Sequence, residues 1–320
     1  MSPAIFRSVD EARSRFGPCA LSIGNFDGVH IGHQALLSEM TASASETGLA
    51  PAVLTFYPHP TVVVAPDRTP PMISTLDQRL WLLGAAGATR ILVLAFTPEV
   101  ARLSPEEFVR EILVGALETK AVFVGQNFHF GHKQAGTPDT LRVLGAELGF
   151  MTRFIKPITW RGETVSSSAI RQYLSQGNVS RAGRLLGRCF SLEGAVVEGR
   201  GVGSKQTVPT LNLRPAAGQL VPRGVYITET HEPSSARRWG SITNCGVRPT
   251  FGGDELTIET FLLSPLEGAA PQEIEVRFRR FVREERQFPT PEALKAQIFK
   301  DVARAQSYWR RSKKLIPSIY

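Results

Sequence analysis

Cysteine is scarce in this chain. Cys19, Cys189 and Cys245 are scattered through 320 residues with no Cys-x-x-Cys pair. That excludes a disulfide framework and a cysteine zinc site, and it fits a reducing, cytoplasmic setting. Long apolar runs are missing too: the longest clean one, Ile91 to Phe96, is far too short to span a bilayer, so no membrane is expected. Arg7, Asp10, Glu11, Arg13 and Arg15 break up the N-terminus and leave no apolar signal-peptide core. No internal repeat, low-complexity linker or stacked-aromatic RNA signature occurs.

What is present is an ordinary globular complement, 42% apolar. The length suggests about two domains, and with no linker they are expected to abut. Positive charge is in excess, 37 Lys and Arg against 29 Asp and Glu, net +8. Such a balance suits polyphosphate ligands and also nucleic acid. The basic residues cluster in 277–286 and 310–314, which reads as a solvated surface. Neither a nucleic acid nor an obligate protein partner is expected.

The first half alternates short apolar runs with helical periods. Strands are expected at Ala20–Ile23, Ala52–Phe56, Ile91–Ala95, Ala121–Gly125 and Thr152–Ile155. Helical spacing joins Leu76, Leu80, Leu83 and Gly87, then Phe108, Ile112 and Ala116, then Leu141, Leu144 and Leu148. Ser104-Pro105-Glu106-Glu107 has the form of an N-cap, a proline at the first helical position and acids in the first turn. The alternation predicts an α/β, Rossmann-like domain with a parallel sheet and ligands beyond the carboxyl ends of its strands. Two short helices are expected at Ser168–Ser175 and Val179–Leu186, after which the period shifts to two. Phe190, Leu192, Gly194 and Val196 alternate with polar or small residues, as do Leu256, Ile258, Thr260 and Leu262, and Ile274, Val276 and Phe278. About six such strands predict a small antiparallel β-barrel, followed by a terminal helix with an apolar stripe of Leu294, Ile298, Val302 and Ala305.

The chemistry concentrates in Gly24-Asn25-Phe26-Asp27-Gly28-Val29-His30-Ile31-Gly32-His33. A strand emptying through a Gly-rich turn into a helix N-terminus is an anion site, with free N–H groups and the helix dipole aimed at it. His30 and His33 add donors for the same phosphate. This segment resembles the His-x-Gly-His signature of the adenylyl- and cytidylyltransferase superfamily, and Asn-Phe-Asp-Gly-Val narrows the resemblance to its FAD synthetase branch. The resemblance implies that Gly24, Asn25, Phe26, Asp27 and Gly32 contact nucleotide. Ser166-Ser167-Ser168-Ala169-Ile170-Arg171 looks like the superfamily's second phosphate clamp, with Ser168 where Thr is usual; Ser166, Ser167 and Arg171 are then catalytic, holding the distal phosphates. Leu54-Thr55-Phe56-Tyr57-Pro58-His59-Pro60 and Val124-Gly125-Gln126-Asn127-Phe128-His129 resemble the flavin-lining segments. Phe56, Pro58, His59, Asn127 and Phe128 are implied at the flavin. Asn127 stands where Asp is common, and His129 and Gln134 where Arg is frequent.

The second half carries an independent set. Gly199 to Lys205 is Gly-rich and precedes Val208-Pro209-Thr210-Leu211-Asn212-Leu213, resembling the riboflavin kinase module. The resemblance implies Gly201, Gly203 and Lys205 at the nucleotide, and Thr210 and Asn212 on Mg²⁺ and the ATP phosphates. Two residues apart on a strand, the latter pair shares one face. Asn244-Cys245-Gly246-Val247-Arg248-Pro249-Thr250-Phe251 and Thr257-Ile258-Glu259-Thr260 match further family segments. They imply Arg248 at the flavin and Glu259 as general base. Residues 264–271 depart from the family, having lost its Asp and Tyr.

The order of the two sets resembles that of bacterial bifunctional riboflavin kinase/FAD synthetases. It implies FMN adenylylation in 1–184 and riboflavin phosphorylation in 185–320, with ATP, riboflavin, FMN and FAD as the small-molecule partners. Two alternatives stand beside it: adenylylation of FMN only, with an impaired barrel, and an RNA-binding protein with vestigial nucleotide sites.

Overall fold

A computed structural model describes residues 2–197, 210–235, 237–250 and 253–315, without the side chains of 248–250, 253–255 and 313–315. The chain forms two compact units, Met1–Ser167 and Ser168–Tyr320.

The first unit is built on six strands: β1 (Ala4–Phe6), β2 (Cys19–Ile23), β3 (Ala50–Tyr57), β4 (Arg90–Ala95), β5 (Thr119–Gly125) and β6 (Met151–Ile155). Their order is β1-β4-β3-β2-β5-β6 and every pairing is parallel. Successive residues bury on opposite faces. Ala20, Val53, Ile91, Val93 and Phe123 join one core, while Leu21, Leu54, Leu92, Val122 and Val124 join the other. Burial on both faces is why these strands are uninterrupted apolar runs. The five expected strands are present. The edge strand β1 was not expected, because three residues carry no readable period. From β2 the chain turns out to β3 on one side, and β5 flanks β2 on the other. This reversal opens a crevice at the carboxyl end of β2.

Ser104 caps as its sequence predicts: its side chain accepts the Glu107 N–H, and the Glu107 side chain accepts the Ser104 N–H. The helix that follows is not the α-helix expected from Phe108, Ile112 and Ala116. Residues Phe108–Val114 are a π-helix, in which Gly115 N–H reaches Arg110 O at 2.9 Å. The wider turn brings Phe108, Val109, Ile112 and Leu113 to the buried side together. The helix Leu76–Ala85 ends before Gly87, which adopts φ 99° beyond the last turn.

In the second unit come the helix that begins at the unit boundary, Ser167–Ser175, and the helix Val179–Leu186. They precede a closed antiparallel barrel of β9 (Ser191–Val197), β10 (Thr210–Pro215), β11 (Gly224–His231), β12 (Arg238–Thr250), β13 (Gly253–Leu262) and β14 (Glu273–Arg283). A two-stranded β7 (Thr159–Trp160) and β8 (Glu163–Thr164) lies in the first unit. Part of the barrel interior is polar. Thr228, Thr230, Ser241, Thr243 and Thr260 are fully buried and bond one another at 2.7–3.0 Å. Each hydroxyl can donate and accept, and four bonds link the five into one chain so that every hydroxyl has a partner.

The terminal helix, Pro291–Leu315, covers Val225, Ile227 and Ile242 with Val302, Ala305, Tyr308 and Trp309. The expected stripe is only half right: Leu294 and Ile298 are 42% and 39% exposed. Among the described residues the apolar packing of this helix on the barrel lies at Val302 and beyond, and Leu294 and Ile298 are not part of it. The three cysteines are free, and burial pushes the Cys19 thiol up to about 12.

Candidate active sites

The loop after β2 is held in an unusual backbone. Phe26, Gly28 and Val29 have φ of 50°, 79° and 37°. A β-branched residue at positive φ is strained by about 1–3 kcal/mol, and such strain gathers at ligand sites. Asp27 holds this shape. Only 2% exposed, it accepts the Ile73 N–H at 3.0 Å and the Ser74 N–H at 3.1 Å. Phe26 is buried in the core and meets His33 edge-on at 5.1 Å.

His30 is the N-cap of the helix Ile31–Thr47. Its Nδ1 accepts the His33 N–H at 3.3 Å, and the two rings stack with centroids 3.6 Å apart. Gly32 permits this, since a Cβ there would sit 3.1 Å from His30 Nδ1. Two buried polar atoms of the loop, Asn25 Oδ1 and His33 Nδ1, have no hydrogen-bond partner. Buried polar atoms are rarely left so; the His33 ring nitrogen can donate to an anion at the helix N-terminus, whereas the Asn25 oxygen can only accept. Ser167 Oγ joins the loop by donating to Asp27 O at 2.9 Å, with Ser166 beside it; Arg171 lies one turn on in the same helix.

Burial, and then the neighbouring His30, hold the His33 pKa well below its ordinary 6.5. The unfolded chain therefore takes up this proton first on acidification. Stability linked to His33 is present above about pH 6.5 and lost as pH falls below it. Thermal unfolding between pH 5 and 8 is expected to show this decline in the first unit, with a shallower slope in His33→Asn.

Because β3 and β5 flank β2, the two expected flavin segments border the loop on both sides. On one side Phe56 is half-buried and packs edge-on to Phe96 at 5.6 Å. Tyr57–Pro58 is a cis peptide bond, and His59 Nε2 lies 3.2 Å from Asn25 Nδ2. On the other side Asn127 is exposed and Phe128 stacks on Phe130 at 5.5 Å. Arg79 was not foreseen. It projects from the helix Leu76–Ala85 and donates to Asn25 O at 2.8 Å and Phe56 O at 3.2 Å. The sequence signal was an arginine between Leu76, Leu80 and Leu83 on an apolar helix face.

In the second unit the register assembles a polar row. Asn212 in β10 is opposite Glu259 in β13, and Glu259 is opposite Asn244 in β12. Directly opposed residues share a face, with Cβ atoms roughly 5 Å apart. All three are half-buried between fully buried neighbours, so the row lies on the outside of the barrel. Thr210, two residues before Asn212, shares its face and is exposed. The sequence motif around Asn244 does not show its alignment with Glu259, which depends on long-range pairing. Arg248 lies in β12 opposite Glu255, and its side chain is outside the described residues, as are Gly201, Gly203 and Lys205 entirely. The departing loop 264–271 is fastened by Arg237, which donates to Glu267 O at 2.7 Å and Ala269 O at 3.1 Å. Arg237 also bonds Glu232 at 2.7 and 2.9 Å, and with Ser235 it draws the Glu232 carboxyl down to about 2.

Comparison with known proteins gives two families. The one described as FAD synthetase matches residues 12–169, and the one described as Riboflavin kinase matches residues 186–309. The bifunctional riboflavin kinase/FMN adenylyltransferase of Pseudomonas fluorescens is 34% identical, covering 95% of this chain and 97% of its own. That of Escherichia coli K12 is 33% identical over 92% of this chain and 94% of its own. A solved structure from Streptococcus pneumoniae, described as a macrolide-efflux protein, shares the fold with a TM-score of 0.84. It covers 96% of this chain and 99% of that one at 23% identity.

Proposed function

Because the chain belongs to the family of bifunctional riboflavin kinase/FMN adenylyltransferases, we propose that the two sites just described perform its two consecutive reactions. Riboflavin and ATP give FMN and ADP; FMN and ATP give FAD and pyrophosphate. The kinase step is assigned to 185–320 and the adenylyl step to 1–184. The observation that carries the assignment is the unpartnered ring nitrogen His33 Nδ1 at the helix N-terminus of the first unit.

In adenylyl transfer an FMN phosphate oxygen attacks the α-phosphorus of ATP, and the bond to the pyrophosphate oxygen breaks. No protein nucleophile is needed, so positioning and charge stabilisation carry the step. His30 and His33 face the triphosphate, and Ser166, Ser167 and Arg171 hold the leaving pyrophosphate. Gly24 and Gly32 let backbone and rings approach closely. Asp27 acts through the loop that it fastens, since its oxygens already bind Ile73 and Ser74. Phe56, Pro58, His59, Asn127 and Phe128 border the flavin.

In the kinase step Glu259 takes the proton of the riboflavin 5′-hydroxyl as that oxygen attacks the γ-phosphorus of ATP and ADP leaves. Asn212 and Asn244 flank its carboxylate. Thr210 and Asn212 offer neutral oxygens on one face, a donor set that fits Mg²⁺ riding on ATP phosphates. Bound there, the ion neutralises phosphate charge. Gly201, Gly203, Lys205 and Arg248 complete the nucleotide and flavin contacts.

Among the described residues no helix is long and apolar enough to cross a membrane, and we assign the protein to the cytoplasm. The basic stretch 277–286 is largely engaged within its unit. Arg277 pairs with Glu275 at 2.6 Å, Arg283 with Asp301 at 2.9 Å, and Arg279 with Glu229. That favours a structural use of these arginines over RNA binding. The test is incubation of the purified chain with riboflavin, ATP and Mg²⁺, then chromatography of the flavins. FMN followed by FAD is expected. FAD only when FMN is supplied would confine the chemistry to the first unit, and neither product would refute the assignment.

A further inference from the structure

Arg79 is a buried cation that this scheme leaves unused. It is 2% exposed, and burial holds its pKa below the ordinary arginine range. Removing a guanidinium from water is costly, so the protein must compensate it locally. Asp27 supplies an opposing charge, and the hydrogen bonds come from one nitrogen. Nη1 donates to Asn25 O at 2.8 Å, Phe56 O at 3.2 Å and Thr55 Oγ1 at 3.3 Å, and Thr55 Oγ1 in turn donates to Asn25 O at 3.2 Å. Nε, also buried, has no partner. Asn25 follows the end of β2, and Phe56 is the penultimate residue of β3. One side chain from a third element therefore ties together the two strand exits that frame the crevice. The same two loops meet again through Asn25 and His59.

We propose that Arg79 is a positioning residue for adenylyl transfer, whose guanidinium fixes the Asn25 and Phe56 carbonyls and so sets the spacing between the phosphate loop and the flavin segment. The inference rests on the assignment of adenylyl transfer to this site. Arg rather than Lys suits the task, because a guanidinium is more weakly hydrated than an ammonium and is the easier cation to bury. A misplacement of about 1 Å between reacting groups costs on the order of 10²-fold in rate.

The test uses the full chain with Arg79→Ala and Arg79→Lys. FAD formation from FMN and ATP is measured with kcat and KM resolved, with and without added guanidinium. FMN formation from riboflavin and the thermal unfolding profile are followed in parallel. Arg79→Ala is expected to lower kcat for FAD by about 10²-fold, with KM moving less. Guanidinium should restore roughly tenfold, Arg79→Lys should fall between the two, and FMN formation should hold at the parent rate. FAD formation within about threefold of the parent in Arg79→Ala would overturn the proposal. So would a loss that merely follows the fraction unfolded, with no guanidinium rescue and no advantage for Lys. A parent chain that makes no FAD from FMN and ATP would instead refute the site assignment, and the proposal with it.

Discussion

His33→Ala is expected to slow FAD formation by about 10²–10³-fold while FMN continues to form at the parent rate. The size follows from what the side chain does. His33 sits at a helix N-terminus with Nδ1 buried and unpartnered, stacked on His30 and backed by Phe26. A donor preorganised in that way needs no rearrangement as charge builds on the leaving pyrophosphate. Alanine removes it and leaves a space that water fills poorly. His30 is also the helix cap, so His30→Ala would mix a lost cap of about 1 kcal/mol with any chemical effect. His33 is the cleaner probe. Separate assays of riboflavin to FMN and FMN to FAD read the outcome. Equal loss of both steps would contradict the two-site assignment.

Glu259→Gln is expected to do the reverse. Loss of a general base typically costs about 10²–10⁴-fold, and here it falls on FMN formation alone. Glutamine preserves the size of the side chain and its place opposite Asn212 and Asn244, so the barrel keeps its register. FAD formation from supplied FMN should be unchanged. Substantial kinase activity in Glu259→Gln would move the base elsewhere in that face.

The residues legible in sequence were those whose chemistry is local. Gly24 to His33 spans a strand end, a turn and a helix start, so its form depends on neighbours within ten residues. The Ser104 cap is local in the same way. The alternating runs of the barrel announced its strands, but not which strand lies beside which. The row Asn212–Glu259–Asn244 exists only because β13 lies between β10 and β12. Arg79 was illegible for a related reason: its partners Asn25, Thr55 and Phe56 are 54, 24 and 23 residues away. The stripe of the terminal helix was misjudged because periodicity marks a face without saying how far the partner surface extends.

The buried hydroxyls of the barrel bear on fidelity of assembly. A slide of one residue between neighbouring strands would turn every side chain to the opposite face. Thr228, Ser241, Thr243 and Thr260 would leave their mutual bonds, and Ile227, Ile242 and Phe261 would lose the terminal helix. An all-aliphatic interior would oppose such a slide only through shape, whereas paired hydroxyls oppose it through partners found in a single alignment. The same alignment places Glu259 between two amides. The interior of the barrel thus acts as a ruler for the polar row on its outer wall.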